Sequence, residues 1–277
     1  MTMTDNPLGK TTRYPDHYQP ELLVSIARRD NRQLLQLGDG ELPFTGADVW
    51  NAYEISCLDS HGKPLVFIGR FIFTADAEFL VESKSLKLYL NSLNQEKVVS
   101  VAQLAETIAK DLSRAAGSQV EVMLTTPDSV AIPDLPAGRC LDALDIAMDT
   151  YEVSRSLLEE GDEELFEEIT EEVLYTNLFR SNCPITNQPD WATVTICYRG
   201  RKIPDTALLK YLVSYRRHND YHENCVERIF CDLMMVFEPR ALTVEANFLR
   251  RGGLDINPVR TTEQDLNYPA FPRYIRQ

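Results

Sequence analysis

Residues 181 to 191 read SNCPITNQPDW. They set a thiol, Cys183, in a polar loop broken by prolines, with a carboxylate, Asp190, seven positions further on. Cysteines that serve packing usually lie on apolar faces, and this one does not. A free thiol with a pKa near 8.5 is only about 3% thiolate at pH 7, so a nucleophile needs a base or a positive neighbour. Asp190 could exchange a proton with the thiol if the loop folds back on itself. Taken alone, the stretch leaves a nucleophile and an idle loop cysteine both open.

Three further stretches carry chemistry. HNDYHE (218–223) sets His218 and His222 four apart, which a helix would bring to one side. That spacing could serve a metal, but H-E-x-x-H is absent and no third ligand is evident, so no metal is expected. Structural histidines, or a titrating histidine near a thiol, are the readings left. VESKSLKLYLNSLNQ (81–95) puts Glu82, Lys84 and Lys87 where a strand gives way to a helix. Glu82 suits a first turn, where the helix dipole favours a carboxylate; alternatively, Glu82 and Lys84 face a ligand bearing donors and phosphates. LRRGGLDINPVRT, beginning at Leu249, reads as a tight turn with two surface arginines. It also reads as an arginine fork beside glycines whose N–H groups could approach a phosphate. No G-x-G-x-x-G occurs, so a Rossmann site has no support.

The elements that must carry these stretches form one pattern twice. VWNAYEISCL (49–58) and LVFIGRFIFT (65–74) read as strands joined by the turn SHGKP. Leu86, Tyr89, Leu90 and Leu93 then keep helical spacing. Ser100 and Gln103 suit a capping box, followed by Val101, Leu104, Ala105, Ile108 and Leu112 on one helical face. Gly117 ends that helix, and QVEVMLTT (119–126) returns to strand. In the second half EEVLYTNLFR (171–180) and WATVTICYRG (191–200) are strands, the latter with Ala192, Val194 and Ile196 on one side. Pro204 suits a helix first turn before Leu208, Tyr211, Leu212 and Tyr215. A second helix carries Cys225, Val226, Ile229, Phe230 and Leu233, and ALTVEANFLR (241–250) is again a strand.

Each half therefore reads strand, strand, helix, helix, strand, with room for one more strand. Hairpin pairing with helices gathered on one face predicts an α+β fold of antiparallel sheet. The proline-rich PDSVAIPDLPAGRCLDALD (127–145) separates the halves, so two modules are expected, 1–145 and 146–277. The repeat is one of pattern, without strong residue identity. A helix-free face and open edges need cover, which oligomerisation can supply.

Composition bounds the function. The chain has 277 residues and a net charge of −14, with mean hydropathy −0.26. An acidic balance argues against nonspecific duplex binding, which needs a basic surface. Nine of the carboxylates crowd EEGDEELFEEITEE (159–172), read as a solvated helix start or loop. No run of about 18 apolar residues exists, and the polar N-terminus lacks the apolar core of a signal peptide. A cytoplasmic location and no membrane contact are expected. Of the six cysteines, Cys57, Cys197 and Cys225 read as packing residues, and none forms C-x-x-C. Reduced thiols follow from that compartment.

Together, ESKSLKLY (82–89), SNCPITNQPDW (181–191), HNDYHENCVERIF (218–230) and RRGGLDINP (250–258) resemble the nitrile reductases of queuosine biosynthesis, the 7-cyano-7-deazaguanine reductases in their longer, two-module form. The resemblance spans nearly the whole chain and keeps the motifs in order. It implies two tandem tunnelling-fold modules, each an antiparallel sheet with two helices on one side, in a homodimer. It implies reduction of a nitrile on a free nucleobase to a primary amine with NADPH, with no direct contact to nucleic acid. The nucleophile falls on Cys183, the proton-transfer acid on Asp190, and an assisting group on His222. Base-binding residues fall on Val81, Glu82, Ser83, His222 and Glu223. Cofactor contacts fall on Ser83, Lys84, Arg251 and Gly252. A pterin- or GTP-directed hydrolase or lyase of the same fold is the second reading; such relatives commonly rely on metal-binding histidines, and the chain has four histidines. A noncatalytic docking module using the acidic segment is the third.

Overall fold

The computed structural model describes residues 15, 17–37, 41–129, 136–148, 150–160, 169–264, 273, 274 and 277. The chain opens with β1 (Ser25–Ala27) and α1 (Arg28–Leu34), followed by the long hairpin β2 (Thr45–Leu58) and β3 (Pro64–Thr74). After β4 (Phe79–Val81) come α2 (Ser83–Ser92), α3 (Val101–Ala116) and β5 (Val120–Thr125). The short β6 (Arg139–Cys140) leads to a second long hairpin, β7 (Ile169–Asn182) and β8 (Pro189–Arg201). Then α4 (Asp205–Ser214), α5 (His222–Phe237), β9 (Ala241–Phe248) and β10 (Leu254–Thr261) complete the order.

The pattern read twice from the sequence is built twice. Each hairpin is followed by two helices and a strand, and each carries one irregularity in register at a matching place. In β2 it falls between Ala52 and Ile55, and in β7 between Thr176 and Phe179. Each is an extra residue on the first strand, the signature of a β-bulge that bends and twists the pair. The caps anticipated for α3 are present: Ser100 Oγ accepts from the Gln103 N–H at 3.1 Å, and Gly117 closes the helix in the left-handed region.

Eight strands form one sheet in the order β5-β3-β2-β10-β9-β8-β7-β6, antiparallel throughout except the β6–β7 pair. The two halves are thus continuous, joined where β10 pairs with β2 from Leu254↔Ala52 to Thr261↔Thr45. Two apolar cores lie between this sheet and the helices. Trp50, Ala52, Phe71 and Phe73 meet Leu86, Tyr89, Ile108 and Leu112 in one. Ala192, Val194, Ile196, Val244 and Phe248 meet Leu208, Leu212, Ile229 and Phe230 in the other. Alternation along a strand sends the intervening residues to the opposite face, which carries Asn51, Glu245, Asn247, Asp255 and Asn257, all buried. This is the expected α+β architecture, an antiparallel sheet with two helices against each half.

Three details depart from the sequence reading. The stretch after Arg250, read as a turn, contains β10, the central strand that joins the halves. Pro258 argues against a central strand because it cannot donate to a ladder. Here β9 pairs with β10 only from Val259 onward, so Pro258 sits where one flank has no partner strand. The strand read from Glu171 begins two residues earlier, at Ile169, inside the acidic stretch read as a helix start or loop, while 161–168 lies outside the described residues. Cys197 lies on a strand as read, but it is exposed, whereas Cys57 and Cys225 are packed. Among the described residues no helix is long and apolar enough to cross a membrane.

Candidate active site

One cleft brings together eight expected residues from five separate places in the chain. Val81 ends β4, Glu82 and Ser83 begin α2, and Cys183 follows β7 directly. Asp190 is the second residue of β8, His222 and Glu223 open α5, and Arg251 lies between β9 and β10. All eight line the same cleft, with Trp50 and Ile256 as apolar walls. Two of the ten expected site residues do not line it: Lys84, the next residue along α2, and Gly252, which is exposed.

The thiol is held by the turn that connects β7 to β8. Cys183 N–H donates to Gln188 O and Asn187 N–H to Cys183 O, both at 2.9 Å, so the prolines at 184 and 189 bracket a closed turn. Asn187 takes a positive φ of 55° to complete it. Cys183 is recessed, 7% exposed, yet it opens on the cleft rather than on packed hydrocarbon. Burial by itself would push the thiol up. Hydrogen bonds from the Thr186 hydroxyl, the Thr186 and Ile185 N–H groups and Arg251 outweigh it, and the pKa lies below its ordinary value. These donors favour the thiolate.

Asp190 is held by two neighbours. Its Oδ1 accepts from Arg251 Nη1 at 2.8 Å, and its Oδ2 lies 3.3 Å from His222 Nε2. The His222 ring packs on Phe248, with centroids 4.0 Å apart. Acid, imidazole and guanidinium therefore form a chain along the cleft beside the sulfur. The positive neighbour demanded by the thiol is Arg251, a group that the local stretch could not reveal.

Three more carboxylates line the cleft, Glu82, Asp220 and Glu223, and the two glutamates are 3% exposed. Glu82 is the N-cap of α2, accepting from the Lys84 N–H at 3.0 Å and the Ser85 N–H at 2.7 Å. Burial nevertheless raises its pKa. Glu223 is pushed up to about 7, first by burial and then by the nearby charge of Asp48, with His222 and Arg28 pulling the other way. A carboxylate that balances between two protonation states in a cleft is a typical functional group.

His218 behaves otherwise. It precedes α5 in extended backbone and sits 3.4 Å from Asp220 Oδ2, so the helical pairing of His218 with His222 does not form. Sequence reasoning also missed Thr186, although it lies inside the first stretch, and Phe248, which was read only as core. It missed Arg28, Asp48, Glu227 and Arg260 entirely, a buried ion cluster behind Glu223. Isolated charged residues on amphipathic elements carry no local signal of burial.

The surroundings of Gly252 fit a phosphate-bearing cofactor. Gly252 has φ +62°, and a Cβ there would touch the Lys87 side chain at 3.4 Å. Its exposed backbone directly follows Arg251 and lies beside Lys87, whose Nζ is 3.2 Å from Glu54 Oε2, so an anion approaching the glycine would draw that lysine from its carboxylate.

Comparison with known proteins agrees. Residues 14–124 match the family model described as nitrile reductase, 7-cyano-7-deazaguanine-reductase N-term, and residues 189–266 match that of QueF-like protein. The chain is 49% identical over 272 residues to the NADPH-dependent 7-cyano-7-deazaguanine reductase of Desulfotalea psychrophila, covering 95% of this chain and 96% of that one. The enzymes of the same name from Bordetella parapertussis and Chromohalobacter salexigens are each 48% identical; the first is covered completely, and the second aligns over 94% of this chain and 93% of its own. Matched from end to end at close to half identity, and with the family's motifs gathered into one cleft, the chain belongs to the 7-cyano-7-deazaguanine reductases.

Proposed function

We propose that this chain reduces the nitrile of 7-cyano-7-deazaguanine to the primary amine of 7-aminomethyl-7-deazaguanine, through a thioimide on Cys183. The observation that carries the reading is the recessed thiol held toward thiolate in the same cleft as Asp190, His222 and Glu223. NADPH, when bound, supplies one hydride to each of two reductions. Ser83, Lys84, Arg251 and Gly252 are the residues that would hold it.

A nitrile carbon is a poor hydride acceptor. Attack by the Cys183 thiolate forms a C–S bond, and a proton from Asp190 completes the thioimide N–H. After the first reduction the carbon bears sulfur, nitrogen and one new hydrogen. The C–S bond then breaks, sulfur leaves as thiolate, and a free imine remains for the second reduction. Two hydrides and two protons convert one nitrile to one amine. Asp190 and His222, in contact with each other, relay the protons to nitrogen. Glu223, ionised, accepts adjacent N–H donors of the base edge, and Val81, Glu82 and Ser83 close the other side.

The substrate is a free nucleobase, so no nucleic-acid surface is needed, in keeping with the acidic chain. The protein works in the cytoplasm as a homodimer of two-module subunits, divided near residue 145. What supports the dimer is membership of the family, whose two-module subunits associate. Light scattering at micromolar concentration checks the mass.

The direct test follows NADPH absorbance with 7-cyano-7-deazaguanine. Two NADPH should be consumed per nitrile. Without NADPH, intact mass should rise by one substrate, and Cys183→Ala should lose both signals. Turnover that persists in Cys183→Ala would remove the thioimide.

A further inference from the structure

Behind Glu223 lies a buried cluster that belongs to both halves of the chain. Arg260 of β10 donates from Nη1 to Asp48 Oδ1 at 2.8 Å and from Nη2 to Glu227 Oε1 at 2.9 Å. Arg32 of α1 donates from Nη2 to the same Glu227 oxygen at 2.7 Å. Arg28, also of α1, donates from Nη2 to Asp48 Oδ2 at 2.5 Å, and its Nη1 stands 3.8 Å from Glu227 Oε1. All five side chains are buried. Burial alone would push the carboxyls of Asp48 and Glu227 up. The facing arginines hold both below their ordinary range.

Three guanidiniums against two carboxylates leave one positive charge. Arg28 is the cation with spare capacity: its Nε and Nη1 are buried and make no hydrogen bond. Glu223 stands one helical turn before Glu227 on α5, so the two carboxylates share a face. Asp48 shares the helix-side face of β2 with Trp50, a wall of the cleft. An ionised Glu223 would bring the cluster to neutrality. The other charged groups around Glu223 have partners of their own. Asp190 is held by Arg251 and His222, Asp220 by the Tyr221 N–H and Asn224, and Glu82 by the α2 amides.

We propose that Arg28 and Asp48 are positioning residues that set the ionisation of Glu223 from behind the cleft, Arg28 favouring the carboxylate and Asp48 opposing it. The first module thereby tunes a substrate-binding residue of the second. This rests on the reading of Glu223 as the carboxylate that binds the base. Glu223 is pushed up to about 7 with Asp48 among the causes and Arg28 against it, consistent with this balance.

Binding of 7-deazaguanine, which lacks the nitrile and so cannot react with Cys183, tests it. The dissociation constant is measured by calorimetry across pH 5.5–9 (roughly the range that brackets a carboxyl raised by burial) for the full chain and for Arg28→Gln, Arg28→Lys and Asp48→Asn. In the parent, binding tightens as pH rises through a midpoint near neutrality. Arg28→Gln moves that midpoint up by about one unit, weakening binding about fivefold at pH 7 and about tenfold well below it, and the curves converge at high pH. Asp48→Asn moves it down, and Arg28→Lys keeps it near the parent value. Opposite shifts from two buried neighbours are not what general loosening of the cleft produces. Midpoints that stay put, or that move the same way in Arg28→Gln and Asp48→Asn, overturn the proposal. Should Arg28→Gln not fold, an unmoved Asp48→Asn midpoint overturns it alone. Parent binding without pH dependence, matched by Glu223→Gln, would instead overturn the base-binding reading of Glu223.

Discussion

Arg251 Nη1 donates to Asp190 Oδ1 at 2.8 Å, and the same guanidinium lines the cleft with the Cys183 thiol and helps to lower its pKa. One cation from the loop between β9 and β10 thus holds both the nucleophile and the acid. It lowers the cost of a thiolate and fixes the carboxylate beside it.

Loss of the donors should raise the thiol pKa. Arg251→Ala and Thr186→Val should each move the midpoint of iodoacetamide alkylation up by about one pH unit. The parent midpoint should lie below that of an ordinary cysteine, because the Cys183 pKa is lowered. An unchanged profile in both variants would show that neither group acts on the sulfur.

Asp190→Asn keeps the size of the side chain and removes its charge and its proton. Turnover should fall by about 10²–10⁴, the usual contribution of a positioned acid or base. Circular dichroism should be unchanged, and the Cys183 adduct should still be detectable by mass. Near-parental turnover would take Asp190 out of the proton path.

Glu223→Gln leaves a group that offers one acceptor where the carboxylate offers two. The dissociation constant of the base should rise by the equivalent of about 1–3 kcal/mol, since its donors are left poorly paired. In the parent, affinity should grow as pH rises through about 7, where Glu223 ionises. Equal affinity in parent and variant across that range would contradict the pairing.

Glu245 gives a stability signature of opposite practical use. Burial on the helix-free face pushes it up to about 7 from 4.5. The folded chain therefore binds a proton between those values that the unfolded chain releases. Stability present at low pH is lost as pH rises from 4.5 through 7. The full effect is about 3 kcal/mol by the usual conversion. Glu245→Gln should melt with the parent near pH 5 and above it at pH 8, read by differential scanning calorimetry. A variant less stable than the parent at pH 8 would mean that a donor pairs with Glu245 in the assembled protein.

Much of the architecture is local information. Alternation of Ala192, Val194 and Ile196 against Thr193 and Thr195 specifies a strand with one apolar face, and those three residues do lie in the core, although Thr193 on the other face is buried as well. Ser100, Gln103 and Gly117 specify the ends of α3 because capping needs only near neighbours. The position of Cys183 outside the strands, with a hydroxyl three residues away, is likewise contained in a few consecutive residues. Of the ten site residues that the family motifs implied, the cleft gathers eight.

The tertiary structure decided the rest, because it depends on which distant surfaces meet. β10 became a central strand only by finding β2, and its Pro258 was tolerated only because β9 begins to pair one residue later. Asp190 became the partner of Arg251 and His222 through the packing of three elements around one cleft. Arg28, Arg32, Asp48, Glu227 and Arg260 look in sequence like scattered surface charges. Folding removes them from water together, and charges so removed must pair with one another. Where a side chain points follows from its neighbours in the chain; whom it meets follows from how the two halves close.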